Sequence, residues 1–263
     1  MSDQVTYKSL EEIELIRESS LLVGKTLGEL RKHIKPGANT LKLDQIAEEF
    51  IRDHGGIPAF KGYDASFADY PFPYTLCISV NEEVVHGMPA ANRLLREGDL
   101  VSIDCGVQMN GYFGDSAYTF AVGEVSSKKR RLMEVTRQSL YMGIEKAIEG
   151  NRVGDISNAV QRHAETYGYS VVREMVGHGV GKSLHEPPEV PNYGKRKTGA
   201  LLKDGMVIAI EPMINMGKRF IKVAKDGWTV YTTDRLPSAH YEHCVVIRKD
   251  KAEILSTFEF IEN

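Results

Sequence analysis

The sequence predicts an α/β (α+β) fold in which an antiparallel sheet built by two similar halves is covered by helices. Three observations carry this. Helical and strand-like patterning follow one another twice along the chain. The segment 97–104 lies without a gap on 204–211, an offset of 107 that pairs Asp104 with Glu211. The turn and helix after Ile34 lie opposite those after Ile148, an offset of 114. Together the two matches favour a duplicated unit within a single domain spanning 1–263, with halves of about 10–122 and 126–250. A site drawn from both halves would sit on the pseudo-two-fold axis between them.

The first element is a helix from residue 10 to about 33. Ile13, Ile16, Leu21, Leu22 and Leu27 recur at helical spacing, and Ser9 with Glu12 makes a capping box at its start. Residues 35–39 are a turn signal, and a second helix over 40–54 ends at Gly55-Gly56. Residues 60–73, rich in Gly, Asp, Pro and aromatics, read as a loop. β-Branched and aromatic runs predict strands at 75–80, 100–107 and 112–122. Helices return at 128–148 and 155–167, and strands at 170–176, 206–213, 220–223, 228–232 and 242–248 complete the series.

A hydrophobic content of 42% supports a packed core and excludes disorder, while a net charge of −3 leaves no overall basic field for nucleic acid. The start of the chain lacks a basic segment followed by an apolar run, and no stretch approaches the ~20 apolar residues of a membrane span. A soluble, unexported, cytoplasmic protein is expected. Cys77, Cys105 and Cys244 are odd in number, scattered and flanked by strand residues, which fits buried thiols in a reducing compartment better than disulfides or a zinc motif. The basic runs 128–131 and 195–197 fit solvated helix and loop faces; nucleic-acid contact and docking at the ribosome are the alternatives.

Two carboxylates can be placed by geometry. Asn110-Gly111 between strand-like runs is the strongest two-residue hairpin signal. In that register Met109 faces Tyr112 and Gly106 faces Asp115, so Asp104 shares a face with Asp115 as its diagonal neighbour, about 7–8 Å away. Two such anions beside Val101, Ile103 and Phe113 repel unless a proton or cation lies between them. The other reading is a pair of acids on the wet face of an open sheet. Glu211 favours the cation, because it ends the apolar run 207–210 and precedes Pro212, where an unpartnered glutamate is costly. Glu242 heads another apolar run, 244–247. His178 lies among Gly177, Gly179 and Gly181, where close backbone approach is possible; it is either a packed imidazole or a ligand. Four carboxylates with one imidazole suit manganese, iron, cobalt or, less selectively, zinc.

These residues resemble those of the methionine aminopeptidases, members of the pita-bread fold shared with prolidases, aminopeptidase P and creatinase. The resemblance runs over nearly the whole chain and rests on the segments 81–87, 99–106, 111–119, 177–181, 185–188, 210–212, 226–229 and 241–243 taken together. It implies two divalent metal ions (Co, Mn, Fe or Zn), both bridged by Asp115 and Glu242, with Asp104 completing one and His178 and Glu211 the other. A water held between them would attack the first peptide carbonyl, with Glu211 as general base and with His86 and His185 contacting the substrate near the scissile bond. Without the resemblance those two histidines read equally well as structural. The family pattern places a methionine pocket on Tyr63, Phe72, Cys77, Leu184 and Trp228, residues that composition alone would assign to the core. The implied substrate is the N-terminus of a peptide or nascent protein, and a monomer is expected.

Three positions depart from the pattern. The segment 64–70 is longer than in bacterial members, Leu184 stands where an aromatic residue is common, and His240 replaces a frequent glutamine. Only 31 positions separate Glu211 from Glu242, too few for the helical insertion of type II enzymes, so the type I, bacterial-type form is implied. A peptidase cutting before proline is the nearest rival, although such relatives usually carry a further amino-terminal domain. A catalytically silent binding protein is a second rival, which the full set of site residues disfavours.

Overall fold

The computed structural model describes residues 5–262, and in it the capping box at Ser9 and Glu12 opens the first helix as expected. In chain order the elements are α1 Leu10–Arg31, α2 Thr40–Asp53, β1 Ile57–Pro58, β2 Leu76–Val80, β3 Glu83–Val85, β4 Leu100–Met109 and β5 Tyr112–Ala121. Then follow α3 Ser127–Ile144, α4 Val153–Thr166, β6 Ser170–Val171, β7 Gly177–Gly179, β8 Glu186–Val190 and β9 Val207–Ile210. The chain closes with β10 Met213–Asn215, β11 Ile221–Val223, β12 Val230–Thr232, β13 Ser238–His240, β14 His243–Val246, β15 Glu253–Ile254 and α5 Glu259–Glu262.

Two antiparallel sheets position the site. One has the order β1-β4-β2 with β5 paired to the free side of β4, and the other runs β15-β14-β9-β7-β8. They are joined edge to edge. The Glu242 N–H donates to the Ala117 carbonyl at 2.9 Å, and the Ser116 hydroxyl donates to the Glu242 carbonyl at 2.6 Å. Shorter strands form two three-stranded sheets, β13-β10-β6 and β11-β12-β3.

α1 packs on β4 and β5 through Leu22, Val23 and Leu27, and one buried apolar cluster runs from there through β2, β4, β9 and β14 to α3, α4 and α5. Each fully buried Leu or Ile in it contributes ~1.5–3 kcal/mol. The two sheets therefore share a core, which fixes the carboxylates at their join.

Several bounds differ from expectation. The expected strand 206–213 is two strands broken at Glu211-Pro212, because proline has no N–H for the ladder. The strand at 170–176 shrinks to β6, and the helix at 128–148 ends at Ile144. α2 and α4 are both 14 residues long. They start at Thr40 and Val153, 113 positions apart rather than 114. An isolated antiparallel bridge precedes each in the same way, Asn39 with Leu94 and Arg152 with Leu201. Among the described residues no helix is long and apolar enough to cross a membrane.

Candidate metal centre and adjoining pocket

The β4–β5 hairpin turns at Asn110-Gly111, both at positive φ (53° and 81°), and its register sets Gly106 opposite Asp115 and Asp104 opposite Ala117. The expected register is met, so Asp104 and Asp115 lie on one face of the hairpin as diagonal neighbours. Glu211 immediately follows β9 and Glu242 immediately precedes β14. Since Ile210 pairs with His243, the two glutamates stand where that ladder opens. Asn192 holds the break by donating from Nδ2 to the Glu211 carbonyl at 3.0 Å.

His178 is delivered by β7, squeezed between β8 and β9. A Cβ on Gly177 would stand 2.3 Å from the Ala209 carbonyl oxygen, and one on Gly179 would stand 2.4 Å from that of Pro187. Glycine on both sides is what lets the imidazole reach the centre. Its Nδ1 lies 3.0 Å from the Gly179 carbonyl oxygen. A carbonyl only accepts, so Nδ1 carries the proton and Nε2 keeps its lone pair. Nε2 is 3.5 Å from Glu211 Oε1 and 3.9 Å from Asp115 Oδ2. One ligand atom each of Asp115, His178 and Glu242 falls within 4.8 Å of the others.

The electrostatics of the cluster are those of a site short of positive charge. Burial pushes Asp104 up to about 7. Asp115, Glu211 and Glu242 are held well above the carboxylate range, first by burial and then by neighbouring carboxylates. Among the described residues no Lys or Arg pairs with any of the four. Asp104 Oδ1, Asp115 Oδ1 and Glu242 Oε1 are buried with no hydrogen-bond partner. Buried acceptors without donors are costly. A set of oxygens with one free imidazole nitrogen is what a divalent cation of hard or borderline character satisfies, so the residues fit the metal that the carboxylates imply.

Beside this cluster lies a buried apolar and aromatic wall. Phe72, Cys77, Leu184 and Trp228 are buried together with Phe60 and Ala65, and Tyr63 packs against them. All five expected pocket residues thus meet, with Cys77 directly opposite Asp104 across β2 and β4. Burial, and then the nearby charge of Asp104, pushes the Cys77 thiol up, so it lines the wall as a neutral group. His86 and His185 sit between wall and cluster. His86, at φ 56°, packs edge-on to Trp228 with ring centres 6.1 Å apart, and its Nδ1 is buried without a partner. His185 stands T-shaped on His178 at 4.2 Å, with Nδ1 2.6 Å from the Tyr63 hydroxyl. Burial lowers His86 to about 4; burial, then the charges of His178 and His86, lower His185 to about 2. Both rings are neutral near pH 7.

Three residues at the site were not singled out as site residues from sequence. His240 is fully buried, with Nε2 3.7 Å from Glu211 Oε2; its place two positions before Glu242 was the available signal. Phe60 closes the pocket wall, and Phe67 stacks over His86 with ring centres 5.8 Å apart. The aromatic density of the loop 60–73 was their only trace.

A carboxylate and imidazole cluster at the join of two antiparallel sheets, beside a buried apolar and aromatic wall, defines a metal-dependent hydrolase. Residues 14–249 match the family model for metallopeptidase family M24. The chain belongs to that family, among its methionine aminopeptidases. It is 48% identical over 255 residues to a methionine aminopeptidase of Clostridium acetobutylicum, covering 97% of this chain and 100% of that one. The crystal structure of a methionine aminopeptidase from Thermotoga maritima superposes with a TM-score of 0.93 at 40% identity, over 97% of this chain and 100% of that chain. A prolidase from Pyrococcus furiosus shares the architecture at a TM-score of 0.76 and 25% identity, over 96% of this chain and 66% of the prolidase. The expected pita-bread α/β fold is therefore the observed one.

Proposed function

We propose that the chain removes the N-terminal methionine from peptides and nascent proteins by hydrolysing the first peptide bond, with a preference for a small second residue. The observation that carries this is the adjacency of the carboxylate cluster to a buried wall of aromatics and a thiol, which suits contact with an unbranched thioether side chain. The relatives at 40% identity and above that are named here are methionine aminopeptidases, which supports the same substrate.

In this reading Asp104, Asp115, His178, Glu211 and Glu242 would together hold two divalent ions; cobalt, manganese, iron and zinc all suit the set. Cations bound there would supply Lewis acidity at the scissile carbonyl and an acidified water as nucleophile. Glu211, whose carboxylate stands 3.5 Å from His178 where the ladder opens, would accept a proton from the attacking water. Tyr63 fixes the orientation of the His185 ring, and the neutral rings of His86 and His185 each offer one N–H to charge developing at the scissile bond. Trp228, Phe72 and Leu184 exclude water from the methionine side chain.

The chain in this view is one catalytic unit of two pseudo-equivalent halves, about 10–122 and 126–250. The matched bridges before α2 and α4, and the like φ of Gly98 (84°) and Gly205 (80°) within the 107-residue offset, support it. Action on nascent chains would bring it to the ribosome, with the basic runs 128–131 and 195–197 as the docking surfaces. In the first of them Lys129 is instead tied inward to Asn81 and the Gly98 carbonyl. Charge reversal at Lys128, Arg130, Lys195 and Lys197 that left co-sedimentation with ribosomes unchanged would retire that docking.

The functional test is methionine release from Met-Ala-Ser beside Xaa-Pro peptides, before and after chelation and with manganese or cobalt restored. Cation-dependent release of methionine is expected. Release only from the proline peptides, or none under any cation with the fold intact, would overturn the reading.

A further inference from the structure

The segment 64–70 is a closed loop with a defined outer end. Its neck is locked by the Gly62 N–H donating to the Phe72 carbonyl at 2.7 Å and the Phe72 N–H to the Tyr63 carbonyl at 2.9 Å. Its far side is fixed to the pocket, because Trp228 Nε1 donates to the Tyr70 carbonyl at 3.1 Å and the Tyr70 hydroxyl donates to the Asp226 carbonyl at 2.6 Å. Between these anchors the loop presents Phe67. That ring is nearly parallel to His86, 10° apart with centres at 5.8 Å, and edge-on to Trp228 at 5.2 Å.

Phe67 is nevertheless 56% exposed, whereas Trp228 is 3% and Phe72 is 2% exposed. Phe72, Trp228, His86 and Phe67 thus form one aromatic arc from the buried wall to the surface. With methionine against the buried end and the scissile bond by His86, the chain after that bond leaves the site across the exposed face of Phe67. A large apolar ring held in place by flanking hydrogen bonds, yet uncovered, is suited to take up apolar surface from a ligand passing over it.

We propose that Phe67 is a specificity-determining residue that contacts the substrate on the carboxyl side of the scissile bond and favours peptides with an apolar third residue. This rests on the functional reading above. The second residue is held close to His86 and His185 and must be small, so the third is the first side chain free to lie over Phe67.

The test compares kcat and KM for Met-Ala-Leu and Met-Ala-Ser in the native protein, Phe67→Ala and Phe67→Tyr, with norleucine in place of methionine as a further arm. The native protein should favour Met-Ala-Leu in kcat/KM. Phe67→Ala should reduce that preference about 2- to 10-fold, the worth of one aromatic contact, through KM for Met-Ala-Leu. Phe67→Tyr, which keeps the ring face, should retain the preference. An unchanged preference in Phe67→Ala would overturn the proposal. So would an equal rise in KM for both peptides with altered selection against norleucine, since Phe67 would then cover the methionine side chain itself. No release from any peptide by the native protein would instead refute the aminopeptidase reading on which the proposal stands.

Discussion

At the scale of single residues, the centre is a set of groups each placed where its own chemistry is most costly. Glu211 has raised proton affinity, His240 within 3.7 Å and no cationic partner among the described residues. Replacing it by glutamine keeps the shape and removes the proton acceptor. Glu211→Gln should hold its fold by circular dichroism and lose ~10²- to 10⁴-fold in kcat; turnover near normal would remove Glu211 from that role. Trp228→Ala should relax discrimination between methionine and smaller side chains in competition assays. It should also cost ~3–5 kcal/mol in denaturant unfolding, because the indole is buried. Glu211 and Glu242 stood out in the sequence because each bounds an apolar run, where an unpartnered acid is expensive, and Asp104 with Asp115 through the hairpin register, whereas His178 among its glycines read either as a packed imidazole or as a ligand. His240 did not stand out, since a buried histidine among strand residues has the same sequence appearance whether it packs or serves. Phe67 was hidden for a different reason: nothing in a loop's composition tells which aromatic ring is held over the site.

At the scale of elements, the β4–β5 hairpin carries the most information. Asn110-Gly111 set its register in advance, and that register alone brings Asp104 and Asp115 onto one face. Gly111 sits at φ 81° with open space where a Cβ would be, so Gly111→Ala is strained only by backbone conformation. It should lower unfolding stability by ~1–2 kcal/mol and leave the pairing intact, as read by denaturant titration. Long strands and helices were readable from periodicity, and the three-residue β11 and β12 from their β-branched and aromatic runs, whereas β3, β7, β8 and β13 lie outside the expected strands; β8 is interrupted by Pro187 and Pro188, which mask a strand signal. β7, a Gly-His-Gly strand, has no strand propensity and exists because β8 and β9 close on it.

At the scale of the whole molecule, the shared core and the hydrogen bonds between Glu242 and residues 116–117 force four carboxylates together, and this couples stability to pH and cations. In the metal-free protein these groups have folded pKa values raised above the unfolded range of about 4. Their contribution is fully present below that value and is lost as pH rises, passing through about 7 for Asp104. Metal-free protein should therefore melt at lower temperature at pH 8 than at pH 5. Manganese at a hundred times its Kd should add ~2.7 kcal/mol, several degrees in Tm for a chain of this size, and reverse the trend. A metal-free melting temperature that climbs steadily from pH 5 to 8 would contradict the account of the cluster.

The measurement that bears most directly on the centre is a manganese titration of the chelated protein, with binding and methionine release followed in the same samples. Two ions bound per chain, with turnover appearing as they bind and both lost in Asp115→Asn, is the predicted result. Full turnover in the chelated protein, or saturable manganese binding that survives Asp115→Asn undiminished, would contradict it.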